Sequence, residues 1–399
     1  MKTEIITTQI DTAADIIRAG GLVAVPTETV YGLAGNGLDA AAVERIYEVK
    51  GRPAIKPLAL MVPGADAMER YCEDVPAQAK TLAGRFWPGP LTIIMKSKDI
   101  VPDIVRAGGD TVGLRCPDHA LTLKALKAAG VPFAAPSANP SGEPSPKNAG
   151  KVIEYFDGKI DAIIDGGECG IGTESTIIDM SRTPYRILRL GALNEDEVFD
   201  TLVSGMTVVG ITGGTGCGKT TALSVLRDMG ARIIDCDAVY HELLSTDTAM
   251  LDEIQEHFPG TLTDGRLDRK ALGRIVFNND DRLAVLSRIT HRYVGREVRR
   301  ILREHAINGA ALAAIDAIAL IESGLADMCD ITFAVTADRE DRIRRIMARD
   351  GIDRAYAEMR INAQKPDAFF AQSCTHLLQN DMTEREFADK CRKIFTEVL

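Results

Sequence analysis

Residues 207–212, Thr-Val-Val-Gly-Ile-Thr, form an apolar, β-branched run that leads directly into Gly213-Gly214-Thr215-Gly216-Cys217-Gly218-Lys219-Thr220-Thr221. A helical pattern, Ala222, Leu223, Val225 and Leu226, follows. Strand, glycine-rich loop and helix in that order make a cradle for nucleotide phosphates. The glycines let successive backbone N–H groups converge on one anion, and the positive end of the helix stands behind them. Gly213 to Thr221 would enclose ATP, Lys219 would neutralise its β- and γ-phosphates, and the Thr220 hydroxyl would ligate Mg²⁺. A second apolar run ends in Asp235-Cys236-Asp237. A carboxylate there can orient or deprotonate an acceptor hydroxyl and help to hold Mg²⁺ through water. Capping of the following helix is the competing reading of Asp237. There is no Asn-Lys-x-Asp guanine signature, which argues against a GTPase.

About 200 residues precede this cradle, and they carry three polar loops of their own. Pro26-Thr27-Glu28-Thr29-Val30-Tyr31-Gly32-Leu33 follows an apolar strand, and Lys50-Gly51-Arg52-Pro53 with Lys56 concentrates positive charge at a turn. Pro136-Ser137-Ala138-Asn139-Pro140-Ser141-Gly142 supplies hydroxyls and an amide after another strand. Taken singly, the cationic turn is more often a solvated turn, and the two hydroxyl-bearing loops read equally well as plain loops or as a ligand rim.

The elements that must hold these loops are legible from periodicity. In the first half, strands are expected at 21–26, 58–62, 91–95, 111–115, 132–135, 161–164, 175–180 and 185–189, with helices near 12–19, 39–48, 119–129, 147–155 and 194–202. So many strands in this length predict a twisted, mixed α/β sheet. The second half predicts strands at 207–212, 232–235, 310–316, 331–336 and 375–379, with helices at 218–228, 338–349, 353–364 and 383–397 and a helical block reaching about 305. Parallel strands joined by helices predict a doubly wound sheet with a helical insert and lid. Val203-Ser204-Gly205 is the expected seam, giving domains 1–203 and 206–399, with Met206 reading as a former start.

Composition sets bounds. The 399 residues carry a net charge of −10, −6 in residues 1–205 and −4 in 206–399. Neither half has the basic excess of a protein clamped on nucleic acid. The second half holds 21 Arg and 5 Lys, which suits a site that grips polyphosphates. Eight dispersed cysteines, none in a Cys-x-x-Cys pair, read as reduced structural thiols, although Cys217 inside the cradle is a candidate for modification when nucleotide is absent. The polar start Met1-Lys2-Thr3-Glu4 and the absence of a long apolar run predict a cytoplasmic protein without membrane contact.

The three loops of the first half, together with Trp87-Pro88-Gly89-Pro90-Leu91-Thr92, Thr111-Val112-Gly113-Leu114-Arg115, Gly172-Thr173-Glu174-Ser175-Thr176 and Leu188-Arg189-Leu190-Gly191, resemble the YrdC-like threonylcarbamoyl-AMP synthase family across residues 5–195. The resemblance implies condensation of L-threonine, bicarbonate and ATP to threonylcarbamoyl-AMP and pyrophosphate, a nucleotidyl transfer that feeds the threonylcarbamoyladenosine modification of tRNA. It implies that Lys50, Arg52 and Lys56 hold the triphosphate and neutralise the leaving pyrophosphate, with Lys50 and Arg52 as the catalytic cations. Thr111, Asn139 and Arg189 would surround the nucleotide. Arg115 would fork onto the threonine carboxylate, and Thr27, Thr29, Ser137 and Ser175 would position the amino acid and carbamate. Proteins of tRNA modification would receive the product, with weak RNA contact possible on the same fold. An RNA-binding module is the alternative reading of this half.

The cradle, its spacing to Asp235-Cys236-Asp237, and the run Arg345-Ile346-Met347-Ala348-Arg349-Asp350 resemble dephospho-CoA kinase. That implies phosphorylation of the ribose 3′-hydroxyl of dephospho-CoA by ATP, the last step of coenzyme A biosynthesis. Asp237 would be the base, Arg349 would close over the phosphates, and Asp235, His291 and Asp316 would face the acceptor. Three positions depart from the family. The usual Asp-x-Pro-Leu-Leu-x-Glu reads Asp316-Ala317-Ile318-Ala319-Leu320-Ile321-Glu322, the proline expected after His291 is Arg292, and the Gln-x-x-Arg of the lid helix begins with Arg342. A nucleotide-sensing or docking module is the alternative for this half. The combined expectation is a bifunctional, ATP- and Mg²⁺-using transferase and kinase.

Overall fold

The computed structural model describes residues 2–263, 265–276 and 279–399. Met1, at the polar start, and positions 264, 277 and 278, within the expected helical block, lie outside the described residues. Two compact units divide the chain: Met1–Gly205 with Ile307–Gly309, and Met206–Ala306 with Ala310–Leu399.

The first unit is built on a ten-stranded mixed sheet. Its strands are β1 (Glu4–Ile6), β2 (Val23–Val25), β3 (Gly32–Asn36), β4 (Ala59–Met61), β5 (Leu91–Lys96), β6 (Thr111–Arg115), β7 (Phe133–Ala134), β8 (Ala162–Ile164), β9 (Thr176–Asp179) and β10 (Arg186–Arg189). They lie in the order β1-β8-β2-β3-β7-β4-β6-β5-β9-β10. All eight expected strands form. β1 and β3 are additional, and so are helix Ala77–Phe86 and the short helices Met68–Tyr71 and Asp103–Arg106. β3 reads Gly-Leu-Ala-Gly-Asn, too glycine-rich to signal a strand by itself. Two antiparallel partners, β2 and β7, make it one. Helices Ile10–Arg18 and Ala120–Ala129 cover one face with Ile10, Ala13, Ile17 and Leu126, packed on Val23, Ala34 and Phe133.

The second unit carries a five-stranded, all-parallel sheet. Its strands are β11 (Thr207–Thr212), β12 (Arg232–Asp235), β15 (Leu312–Asp316), β16 (Ile331–Thr336) and β17 (His376–Gln379), and their order is β12-β15-β11-β16-β17. Between β12 and β15 run helices Cys236–Thr246, Thr248–His257, Arg269–Val276 and the long Asp280–Ile307, with an unexpected two-stranded hairpin, β13 (Leu262–Thr263) and β14 (Arg266–Leu267). Helix Asp367–Ser373 is also additional to the sequence reading. The three central strands β11, β15 and β16 are largely buried and read as near-continuous apolar runs, while the edge strands β12 and β17 are partly exposed. Phe333 meets Phe395 of the closing helix Glu384–Val398 edge-on at 5.0 Å. No helix among the described residues is long and apolar enough to cross a membrane.

Candidate functional sites

In the first unit a cavity opens where the carboxyl end of β6, the start of β9 and the end of β10 meet the loops after β2 and β7. Arg52, Arg115, Ser137, Glu174, Ser175 and Arg189 line it, with Thr92 and Gly32. The loops interlock through backbone: Leu33 N–H donates to Pro136 O, Ala138 N–H to Tyr31 O, and Tyr31 N–H to Pro146 O. An insertion in one loop would therefore displace the other.

Arg115 is 8% exposed and sits at the last position of β6. Its Nη2 donates to Glu28 Oε1 and to Thr29 Oγ1, both at 2.8 Å. Glu28 is fixed in turn, because its Oε2 accepts the Asp118 N–H at 3.0 Å. Arg115 Nε has no hydrogen-bond partner among the described residues. One edge of the guanidinium is thus tied down, while a buried donor on the cavity-lining side chain remains unspent.

Thr27 and Thr29 are buried and stand beneath this arrangement rather than among the lining residues. Thr27 Oγ1 accepts the Thr29 and Val30 N–H groups, donates to Val30 O at 2.7 Å, and lies 2.9 Å from Thr29 Oγ1. Thr27 therefore closes the turn, and Thr29 relays it to Arg115.

Lys50, 3% exposed, ends helix Ala40–Lys50. Its ammonium donates to Ser137 O and Asn139 O, and its own carbonyl accepts the Ser141 N–H at 2.8 Å. Burial, with Arg52 adding to it, pulls its pKa down to about 8. Lys50 is a strut under the 136–142 loop and is not a lining side chain. Arg52 lines the cavity, its guanidinium held by Pro57 O at 3.1 Å and Lys56 O at 3.4 Å. Lys56 itself is exposed and outside the lining. Asn139 Nδ2 donates to Pro140 O and Glu143 O, folding its own loop. Thr111 begins β6, so it shares a face with Arg115 but stands four residues away, roughly 13 Å along a strand.

Ser175 Oγ lies 2.9 Å from Thr92 Oγ1, and Arg189 Nη2 donates to Ser175 O at 2.9 Å and to Ser175 Oγ at 3.3 Å. Arg189 also pairs with Glu174, whose other oxygen accepts from Ser145 Oγ at 3.0 Å. Thr92, Ser145, Glu174 and Glu28 were not singled out as site residues from sequence. The available signal was positional: Glu28 and Glu174 sit beside chosen residues and Thr92 within a quoted motif, whereas nothing in the sequence marked Ser145.

In the second unit the loop after β11, the start of helix Lys219–Asp228 and the ends of β12 and β15 enclose a polar cavity. Gly214, Gly216, Gly218, Lys219 and Thr220 line one side and Asp235, Asp237 and Asp316 the other, with Ala317 and Ile318. Gly218 has φ 105°, a left-handed conformation suited to glycine, and a Cβ at Gly214 would collide with Arg342 Nη2. Lys219 Nζ donates to Gly213 O at 2.9 Å.

The capping question between the two aspartates is settled by geometry. Asp235 Oδ1 accepts the Asp237 and Ala238 N–H groups at 2.9 and 3.0 Å, so Asp235 caps helix Cys236–Thr246. Asp237 is exposed and carries none of those bonds. Burial lifts Asp316 to about 6; Asp235 and Asp237 reinforce the shift, while Lys219 opposes it. His291 is partly buried on the long helix and lies outside the cavity lining; burial lowers its pKa. Arg349 pairs with Asp350, which also binds Arg360, whereas Arg342 and Arg345 of the same helix reach the loop, at Thr215 O, 3.0 Å, and Gly216 O, 3.4 Å away. Cys217 is completely buried and burial pushes its thiol pKa up, so the small-residue reading replaces the reactive one. Among the described residues no group of three or more His, Cys, Asp or Glu is placed to hold a metal ion. The oxygens of Thr220 and Asp235 in one cavity suit a hard cation that takes its remaining ligands from phosphate and water.

A family model described as telomere recombination, Sua5/YciO/YrdC, matches residues 15–191, and one described as dephospho-CoA kinase matches residues 207–386. A threonylcarbamoyl-AMP synthase of Pyrococcus abyssi is 50% identical over 186 residues, covering 47% of this chain and 55% of that protein. A dephospho-CoA kinase of Geobacter sulfurreducens is 34% identical over 194 residues, covering 48% of this chain and 98% of that protein. The solved structure of P. abyssi Sua5 complexed with L-threonine is 29% identical, with coverages of 87% and 98% and a TM-score of 0.49. The chain spans about half the length of the curated synthases it matches.

Asp316 yields a stability prediction. Its folded pKa of about 6 exceeds the unfolded carboxylate value near 3.9, so the stability it contributes is present below about pH 4 and lost as pH rises through 6. In nucleotide-free protein, Asp316→Asn should raise the unfolding free energy of the second unit by on the order of 1–2 kcal/mol near neutral pH, with the gain fading toward pH 4. Thermal melts across that range measure it, and a loss of stability at neutral pH would contradict the raised pKa.

Proposed function

The chain belongs to the Sua5/YciO/YrdC family through its first half and to the dephospho-CoA kinase family through its second, and from that premise we propose a bifunctional enzyme. Residues 1–203 would form threonylcarbamoyl-AMP from L-threonine, bicarbonate and ATP, and residues 206–399 would phosphorylate dephospho-CoA on its ribose 3′-hydroxyl. The observation that carries the kinase reading is the convergence of Lys219 and Thr220 with three carboxylates, Asp235, Asp237 and Asp316, in one cavity. The synthase reading rests on three guanidinium groups, Arg52, Arg115 and Arg189, around the hydroxyls of Ser137 and Ser175.

In the synthase half the threonine carboxylate would take the free edge of Arg115. Its amine would condense with bicarbonate, releasing water, and an oxygen of the resulting carbamate would attack the α-phosphate of ATP and expel pyrophosphate. Arg52 and Arg189 would neutralise the departing charge, and Lys50 would act by holding the loop that carries Ser137. Ser175 Oγ is bound to Thr92 and Arg189 rather than to a general base. No covalent enzyme intermediate is invoked; alignment and charge stabilisation suffice. A threonylcarbamoyl-AMP product would be passed to proteins that modify tRNA.

In the kinase half, Lys219 and the loop amides would hold ATP, and Mg²⁺, when bound, would neutralise phosphate charge beside Thr220 and Asp235. Asp237, exposed and released from capping by Asp235, would accept the proton of the ribose hydroxyl. Mass spectrometry of products from the full chain tests both reactions, each of which must need its own acceptor. Nucleotide binding without a dephospho-CoA-dependent product would leave a sensing module instead.

Two substitutions test the roles. Arg115→Ala should raise the KM for threonine by roughly 30- to 10³-fold, the equivalent of about 2–4 kcal/mol, with the KM for ATP less changed. An unchanged threonine dependence removes Arg115 from the site. Asp237→Asn should lower phosphate transfer by roughly 10²–10⁴-fold while ATP affinity holds, whereas Lys219→Ala should impair both. Transfer by Asp237→Asn at the parent rate would end its assignment as base.

A further inference from the structure

The lid helix Arg339–Asp350 places an arginine, Arg342, where the kinase family usually has glutamine. Arg342 is 4% exposed and is not among the residues lining the nucleotide cavity. Its Nη1 donates to Asp367 Oδ1 at 2.8 Å, its Nε to Thr215 O at 3.0 Å, and its Nη2 to Gln364 Oε1 at 3.3 Å. A buried guanidinium needs such a counter-ion and such acceptors to be tolerated. Gln364 completes the arrangement: its Oε1 accepts the Thr215 N–H at 2.8 Å and its Nε2 donates to Thr215 Oγ1 at 2.7 Å. Thr215, in the middle of the phosphate loop, is thus held at its amide, its carbonyl and its hydroxyl by two side chains that lie outside the loop.

We propose that Arg342 is a positioning residue that works with Asp367 and Gln364 as a latch, setting the phosphate loop in its nucleotide-ready shape before ATP arrives. Arg342 does not act as a lid arginine on the phosphates, because Asp367, Gln364 and Thr215 already occupy its nitrogens. By turning the Thr215 carbonyl outward, it leaves the inner side of the loop to N–H groups. The ordering cost of the loop is then met in the free protein, and affinity gains by that amount. A neutral side chain at 342 would lack the charge that pairs with Asp367, so Arg342 and Asp367 form one unit in this chain.

The inference rests on the kinase reading of this half, and its test is arranged so that the two can fail separately. Amide hydrogen exchange of nucleotide-free full-length protein examines the loop directly. Arg342→Gln should speed exchange across residues 214–218 by roughly tenfold or more, since protection reports local opening. Asp367→Asn, a milder change that keeps Arg342, should give a smaller increase and serves if Arg342→Gln does not fold. Steady-state assays with dephospho-CoA should show the KM for ATP rising about tenfold in Arg342→Gln with kcat changed about threefold or less, the pattern of lost ground-state binding. Arg342→Lys, which keeps charge but not the fork, should recover only part of either effect. Unchanged exchange at 214–218 together with an unchanged KM, even if the melting temperature fell, would reduce Arg342 to a brace of the lid and overturn the proposal. If the parent shows no dephospho-CoA phosphorylation, the kinase reading fails, and the exchange result alone still decides the latch.

Discussion

A loop that offers its N–H groups to an anion must turn its carbonyl oxygens elsewhere, and in a buried setting each of those oxygens needs a donor. This constraint shapes both halves of the chain. In the phosphate loop the carbonyl of Gly213 goes to Lys219, that of Thr215 to Arg342, that of Gly216 to Arg345 and that of Cys217 to Asn380. In the first unit Lys50 does the same for Ser137 and Asn139. Cationic side chains are suited to this because a charge-assisted hydrogen bond repays more of the desolvation cost than a neutral one. The shape of each loop therefore depends on residues far from it in sequence.

The same requirement explains the pattern of charges. Arg115 and Arg189 each have a carboxylate partner, Glu28 and Glu174, before any ligand enters. In the second cavity the imbalance has the opposite sign, since Asp235, Asp237 and Asp316 face Lys219 as the lining cation. Burial, reinforced by Asp235 and Asp237, holds Asp316 near 6, so it keeps its proton to a higher pH than an ordinary carboxyl.

Much of this was legible in the sequence, because parallel strands, phosphate loop and helix repeat a pattern that periodicity and glycine spacing reveal. All the strands expected in both halves form, as does the mixed and parallel division between the sheets. β3 was hidden by its glycines, and helix Asp367–Ser373 by its brevity. Among the candidate site residues, sequence located the motifs that meet at the two cavities but could not tell a lining side chain from a supporting one. Lys50, Thr27, Thr29 and Asn139 carry the same polar signature as Ser137 and Arg115, and only the fold shows which of them face the cavity. Asp235 and Asp237, two residues apart, likewise exchange the capping role that spacing alone left open.

The departure at Arg342 shows how such ambiguity arises. Read along the chain, an arginine in a lid helix suggests a phosphate contact. In space it lies behind the loop, and its charge is balanced by Asp367, a residue 25 positions away. Burying a guanidinium without that partner would be costly, so arginine at 342 is tolerable only in a sequence that also places a carboxylate at 367. The two positions therefore carry a single piece of information. Arg115 with Glu28 follows the same rule in the other half, where Glu28 and Thr29 take Nη2 of the guanidinium and leave its buried Nε without a partner among the described residues. In both cases the useful property of the arginine is directional. Its partner occupies some of its donors, and the remaining donors are thereby aimed.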